Sequence, residues 1–217
     1  MTVKYSEYVS LGVNCEGAFQ MRRVLGRDSA SFFSWNVTPV ASLETLIRGR
    51  FNDILKPENL SSSNDFSMIL DASHGHKFHS PFSREEKFKE DPDFASKLDE
   101  HAQKSKYLID KFLRPRQDSE TTAYFYKSIG NEDPVEFKST CFRIADLLKE
   151  IHGESVFSLI VLQLVERSEA PWDHAHIHNR YLRRYAPWHD ATDGHVNSWD
   201  KIFREFPHAE NMRLAGY

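Results

Sequence analysis

Apolar positions along the chain recur with two periods. From Asn14 to Leu25, the residues Ala18, Met21, Val24 and Leu25 return at three- and four-residue spacing, which predicts a helix with one buried face. Gly26 stands where a C-terminal cap belongs. A second helix is predicted to start at Thr38, with Pro39 at its first position and Val40, Leu43, Leu46 and Ile47 as its stripe. Further helices are predicted over Pro92–Leu113, capped by Asp91, over Pro134–His152, stopped by Gly153, and over Trp199–Phe206. Runs of β-favouring residues lie between them: Tyr5–Leu11, Thr121–Lys127 and Val156–Val165, with a weaker strand between His176 and Tyr185. The run VFSLIVLQLV at 156–165 is apolar on both faces, as a central strand covered from both sides must be.

Strands alternating with helices predict an α/β fold: one domain over residues 1–217, in three layers, with a mainly parallel sheet between helices. The stretch from about 56 to 91, including the run Ser61, Ser62, Ser63, Asn64, Asp65, has no clear period and reads as a long irregular segment. Segments of that length inside a compact domain tend to be functional lids or flexible segments. Parallel sheets bind ligands at the carboxyl ends of their strands, so the loop Gly12-Val13-Asn14-Cys15 is expected to face the crevice.

Composition narrows the function classes. The chain has 217 residues, of which 40% are apolar and 28% charged, a soluble globular balance. Its 28 basic and 32 acidic residues give a net charge of −4, with no broad basic footprint for nucleic acid. No apolar run approaches the ~20 residues of a membrane span, and the polar start from Met1 to Tyr8 lacks the core of a signal peptide. Two cysteines, Cys15 and Cys141, are too few for a disulfide framework, so a cytoplasmic setting is expected. Neither GxGxxG nor a P-loop occurs, and no cofactor is called for.

Cys15 is the sharpest local feature. It follows a strand and a glycine and opens a helix. Backbone N–H groups at a helix start stabilise a thiolate, so its pKa is expected to fall, and the amides from Asn14 through Glu16 to Gly17 can hold an oxyanion. Cys141, beside Phe142 and Ala145 on an apolar helix face, reads as a core residue.

The segment SLGVNCEGAFQMRR, followed by SASFFSW, resembles the opening signature of a bacterial family of papain-like cysteine peptidases formerly catalogued as a domain of unknown function. Ser10, Leu11, Gly12, Cys15, Ala18 and Arg22 match its first block, and Ser31, Phe33 and Trp35 its second. Phe32 replaces a proline and Ser34 an aspartate of that block. The family's later Phe-x-His segment corresponds to Phe78 and His79, with Ser80 in place of a following Asp. The resemblance implies Cys15 as nucleophile and His79 as base, in a hydrolase or acyl transferase for a peptide, ester or glycan-linked small substrate.

Eleven histidines compete for the role of base. The rival to His79 is His195, which with Asp193 precedes the last helix, as the Asp-x-x-His pair does in SGNH-type esterases. By the same analogy Gly130 and Asn131 offer further oxyanion donors. His174, His176 and His178 would share a face if they lay on a strand, where three imidazoles can hold zinc. No acid or thiol sits at ligand spacing there, and no metal is expected. Arg180, Arg183 and Arg184 with Tyr181 and Tyr185 form a basic-aromatic patch suited to a phosphate or carboxylate, or to a charged strand edge. The alternative to an enzyme is a binding protein for a glycan or nucleotide-sugar, with Cys15 only packing.

Overall fold

The computed structural model describes residues 3–63, 66–82, 86–153 and 155–215. Met1 and Thr2 of the polar start, and Asn64 and Asp65 of the serine-rich run, lie outside the described residues. The fold is α/β. A four-stranded sheet runs in the order β1 (Glu7–Ser10), β6 (Thr121–Lys127), β7 (Val156–Leu164), β8 (Ile177–Leu182), and every pairing in it is parallel. A second sheet is antiparallel, in the order β2 (Asn36–Val37), β5 (His76–His79), β4 (Met68–Asp71), β3 (Leu60–Ser63). Five helices accompany them: α1 (Glu16–Leu25), α2 (Val40–Arg48), α3 (Phe94–Leu113), α4 (Pro134–His152) and α5 (Val196–Glu205).

The parallel sheet is apolar on both faces because consecutive residues of its strands point opposite ways. Tyr124, Tyr126, Leu159 and Val161 join a cluster with Leu43, Leu46 and Ile47 of α2 and Ile144 and Leu148 of α4. Their neighbours Ala123, Phe125, Ile160 and Leu162 join another, with Met21 and Val24 of α1 and Trp199, Ile202 and Phe203 of α5. The antiparallel sheet has its own cluster, in which Ile69 and Phe78 pack with Phe82, Phe88 and, from α3, Phe94 and Leu98.

Local signals explain most boundaries. Gly26 adopts a left-handed conformation and closes α1 through its N–H to Arg22 O. Asp133 caps α4 by accepting from the N–H groups of Val135 and Glu136, with Pro134 in the first turn. Pro39 is the N-cap of α2 rather than its first residue, and Asp93 rather than Asp91 precedes α3. The largest departure is the stretch 56–91. It carries β3, β4 and β5 instead of an irregular segment, because the strands are only four residues long and bury polar Asp71 and His76. Among the described residues, no helix is long and apolar enough to cross a membrane.

Candidate active site

The loop after β1 brings Cys15 to the carboxyl end of the parallel sheet through an unusual backbone path. Gly12 and Val13 both have positive φ, 98° and 67°. Gly12 suits that region, and a Cβ on it would lie 3.1 Å from Thr38 Cβ. Val13 is β-branched and is strained there, as backbone at functional turns often is. Cys15 is then the N-cap of α1. Gly17 follows in the first turn, where a Cβ would stand 2.9 Å from Ser10 Oγ, so the helix start is seated closely on β1.

His79 comes from the other sheet. It is the last residue of β5, paired with Met68 of β4, and its ring is exposed. Its Nε2 lies 3.9 Å from Cys15 Sγ, a loose hydrogen-bonding distance for sulfur. Both side chains line a cavity of about 220 Å³, together with Asn14, Val37, Met68 and Trp188. Among the described residues the sulfur is the one hydrogen-bonding partner of the His79 ring. Ser80, where the resembled pattern has an acid, accepts instead from the N–H of Phe82 at 3.2 Å. Ser34 is likewise spent on a turn, its Oγ accepting from the Ser31 N–H at 2.9 Å, and Phe32 packs against Phe33 and Phe51.

The electrostatics differ from the expected thiolate. Burial pushes the Cys15 thiol above its ordinary pKa, opposite to the lowering expected from the helix start. Asn14 Oδ1 accepts from the Glu16 N–H at 3.1 Å, so that amide, one of those expected to hold an oxyanion, is already engaged, while Asn14, whose side chain carries a donor NH2, lines the cavity. The first turn of a helix also leaves N–H groups without intrahelical partners.

Glu16 contributes more than its backbone. Its carboxylate is fully buried and forms an ion pair with Lys127 Nζ at 3.0 Å. It also accepts from Trp199 Nε1 at 3.0 Å and from the Ala186 N–H at 3.1 Å. Lys127 ends β6 and lies over the Tyr185 ring, 4.1 Å from its centroid. One carboxylate thus ties α1, β6, the loop before α5 and α5 itself together next to Cys15. Lys127 was not singled out by sequence, since a lysine ending a strand normally reads as a solvated residue; the glutamate directly after the cysteine was the available signal.

Other sequence candidates lie elsewhere. His195 caps α5, with Nδ1 accepting from the Ser198 N–H at 3.2 Å, and lines a different cavity with Tyr181, Arg183 and Lys201. Asp193 is exposed and paired with Arg184 at 2.9 Å. The Gly130 N–H is taken by Ser128 Oγ and Glu132, and Asn131 beside it is exposed and does not line the Cys15 cavity. Of the three clustered histidines only His178 is on β8, so they do not share a strand face. His176 stacks on Phe157 at 4.3 Å, and His174 sits 3.9 Å from Asp146. Among the described residues no three His, Cys, Asp or Glu side chains are grouped to hold a metal. Arg180 is paired with Glu205, which accounts for much of the basic patch. Cys141 is buried in the core, and both cysteines are free.

Residues 6–198 match the profile of the family described as "Putative papain-like cysteine peptidase (DUF1796)". The chain belongs to this family. The match runs from the start of β1 into α5, so it takes in both sheets and the Cys15–His79 cavity. No curated protein and no solved structure matches the chain.

Proposed function

We propose that the protein is a cysteine-dependent hydrolase, a papain-like peptidase or related acyl hydrolase or transferase, with Cys15 as nucleophile and His79 as general base. The reading takes the chain as one α/β unit in three layers, working where thiols stay reduced, on a peptide, ester or glycan-linked small substrate. The observation that carries it is the 3.9 Å approach of His79 Nε2 to Cys15 Sγ inside a cavity. Membership in a family described as peptidases supports the same chemistry.

Because burial favours the neutral thiol, the proton leaves as the sulfur attacks rather than beforehand. His79 Nε2 takes that proton while the sulfur bonds to the substrate carbonyl carbon. The oxyanion is met by the Gly17 amide in the first turn of α1 and by the Asn14 side-chain NH2. The imidazolium then returns the proton to the departing amine or alkoxide, leaving a thioester on Cys15. Water, deprotonated by the same imidazole, releases the acid and restores the thiol. Hydrolysis of an activated acyl ester tests this. Activity is expected in the native protein and absent from Cys15→Ala. Full turnover by Cys15→Ala would remove Cys15 as the nucleophile, and no turnover by the native protein would favour a binding protein instead.

A further inference from the structure

We propose that the cavity beside Cys15 is an acyl-side specificity pocket, selecting substrates with a single neutral, apolar chain on the carbonyl that the sulfur attacks. This rests on Cys15 and His79 being the reacting pair. The cavity divides chemically. Asn14, Cys15, Ser67 and His79 supply its polar groups, while Val37, Met68, Trp188 and Ala191 supply the apolar ones. Among the described residues, none that lines it carries a carboxylate, ammonium or guanidinium group. A charged substituent would therefore lose hydration that these residues do not replace. The ion pair next to Cys15 offers none, since Glu16 and Lys127 are buried and spent on each other.

Size and position sharpen the class. A volume of about 220 Å³ falls below the ~300–1,000 Å³ typical of whole-ligand sites, so it suits one side chain or short acyl chain. Trp188 is 59% exposed, a large ring held toward solvent at the mouth of a nucleophile's cavity. Its loop is anchored two residues earlier, where the Ala186 N–H meets Glu16 Oε2 at 3.1 Å. The indole is thus an apolar wall on a loop anchored beside Cys15, and a bound chain would cover it.

Two probe series separate this proposal from the reading it rests on. The first is turnover of p-nitrophenyl acetate, p-nitrophenyl hexanoate and the p-nitrophenyl half-ester of succinate. In it the Cys15 sulfur displaces p-nitrophenol to give the thioester, which water then cleaves. The second is alkylation by iodoacetamide, N-benzyl iodoacetamide and iodoacetate, where the sulfur displaces iodide and loses its proton; peptide mapping assigns the labelled cysteine. The hexanoyl ester and the benzyl reagent are expected to react roughly ten- to a hundredfold faster than their anionic counterparts. Trp188→Ala should bring the hexanoyl-to-acetyl ratio down about tenfold, and Ala191→Lys should turn the preference toward succinyl and iodoacetate. Turnover that ignores the acyl chain, or ratios unmoved by both substitutions, overturns the pocket and leaves the hydrolase reading intact. Absence of ester turnover with a Trp188-dependent preference for the benzyl reagent overturns the hydrolase and upholds the pocket. No labelling of Cys15 by any reagent overturns both.

Discussion

Ile160 and Val161 are adjacent in β7, and both are fully buried, one in each of the clusters that cover the parallel sheet. In β5 of the antiparallel sheet the corresponding neighbours are His76, buried, Lys77, half-buried, Phe78, buried, and His79, exposed. One sheet is closed by apolar packing on both sides; the other alternates, with polar groups among its buried positions and an imidazole presented to a cavity. The cavity lies where the two meet, Cys15 coming from the loop after β1 and His79 from the end of β5. The difference is a division of labour, in which the parallel sheet supplies a closely packed platform for the helix start that carries Cys15. The smaller sheet holds His79, the proposed base, with less packing.

The largest expected effect is on chemistry. Cys15→Ala is expected to abolish acyl-ester turnover, and His79→Ala to lower kcat by about 10²–10⁴-fold. Neither should move the melting temperature much, since His79 is exposed and surface changes are usually within ~0.5 kcal/mol. A His79→Ala protein with unchanged kcat would remove the smaller sheet from the active site. The same pair gives a pH signature. With its thiol raised by burial, Cys15 should alkylate with a rate still climbing above pH ~8.5, where a free thiol is half ionised. A plateau already reached at pH 6 would mean a pre-formed thiolate instead.

The next effect is on stability, and it falls on the parallel side. Lys127→Ala leaves the Glu16 carboxylate buried without its cation, which should cost about 3–5 kcal/mol in denaturant unfolding. The double change Glu16→Gln with Lys127→Met should recover much of that loss, because no uncompensated charge remains. If Lys127→Ala unfolds like the native protein, the pair is not what ties α1 to β6.

Each side also buries an imidazole, and these two behave differently. His152 is fully engaged: Nε2 meets Tyr124 OH at 2.6 Å and Nδ1 meets Ser155 Oγ at 3.0 Å. His76, among Phe32 and Phe78, has neither ring nitrogen hydrogen-bonded. Burial pushes both down to about 4. The folded protein therefore keeps them neutral where the unfolded chain, near 6.5, takes up protons. Stability is full above pH ~6.5 and falls as pH drops toward 4, by up to about 3 kcal/mol for each group. His76→Phe should flatten that acid loss and be neutral or stabilising at pH 7, since it removes an unpaired polar group. His152→Phe should flatten it too but lower stability at pH 7 by about 1 kcal/mol or more, because Tyr124 loses its partner. Identical behaviour of the two variants at pH 7 would erase the contrast.

The same contrast governs what could be read from the chain. Thr121–Lys127 and Pro134–His152 coincide with β6 and α4 because an apolar run, a capping Asp-Pro and a closing Gly all agree locally. Cys15 stood out for its setting after a strand and a glycine. The smaller sheet was not legible: β3 is Leu-Ser-Ser-Ser, and β4 and β5 bury Asp71 and His76 at inward positions. Asp71 is there for backbone reasons, accepting from the N–H groups of Leu55 at 2.7 Å and Ser73 at 3.1 Å. A code that equates inside with apolar fails when the inward residue is a buried acceptor. His79 could be ranked through the family resemblance, but its partner sheet could not be seen, nor could Lys127 be told from a solvated lysine.

The smallest expected effect separates His195 from His79. His195 holds the N-cap of α5, its Nδ1 accepting from the Ser198 N–H, and its cavity is not the one lined by Cys15. His195→Ala should therefore cost about 0.5–2 kcal/mol of stability, as loss of a cap does. His195→Asn, which can cap in the same way, should restore most of it. Catalysis should change by less than about twofold in either variant, because the proton that the mechanism moves lies between Sγ of Cys15 and Nε2 of His79. Asp193→Asn, breaking only an exposed pair with Arg184, should leave stability nearly unchanged. A large fall in kcat in His195→Ala, with normal melting and no rescue by asparagine, would transfer the role of base from β5 to the start of α5. It would then require the loop before that helix to close on Cys15 during turnover.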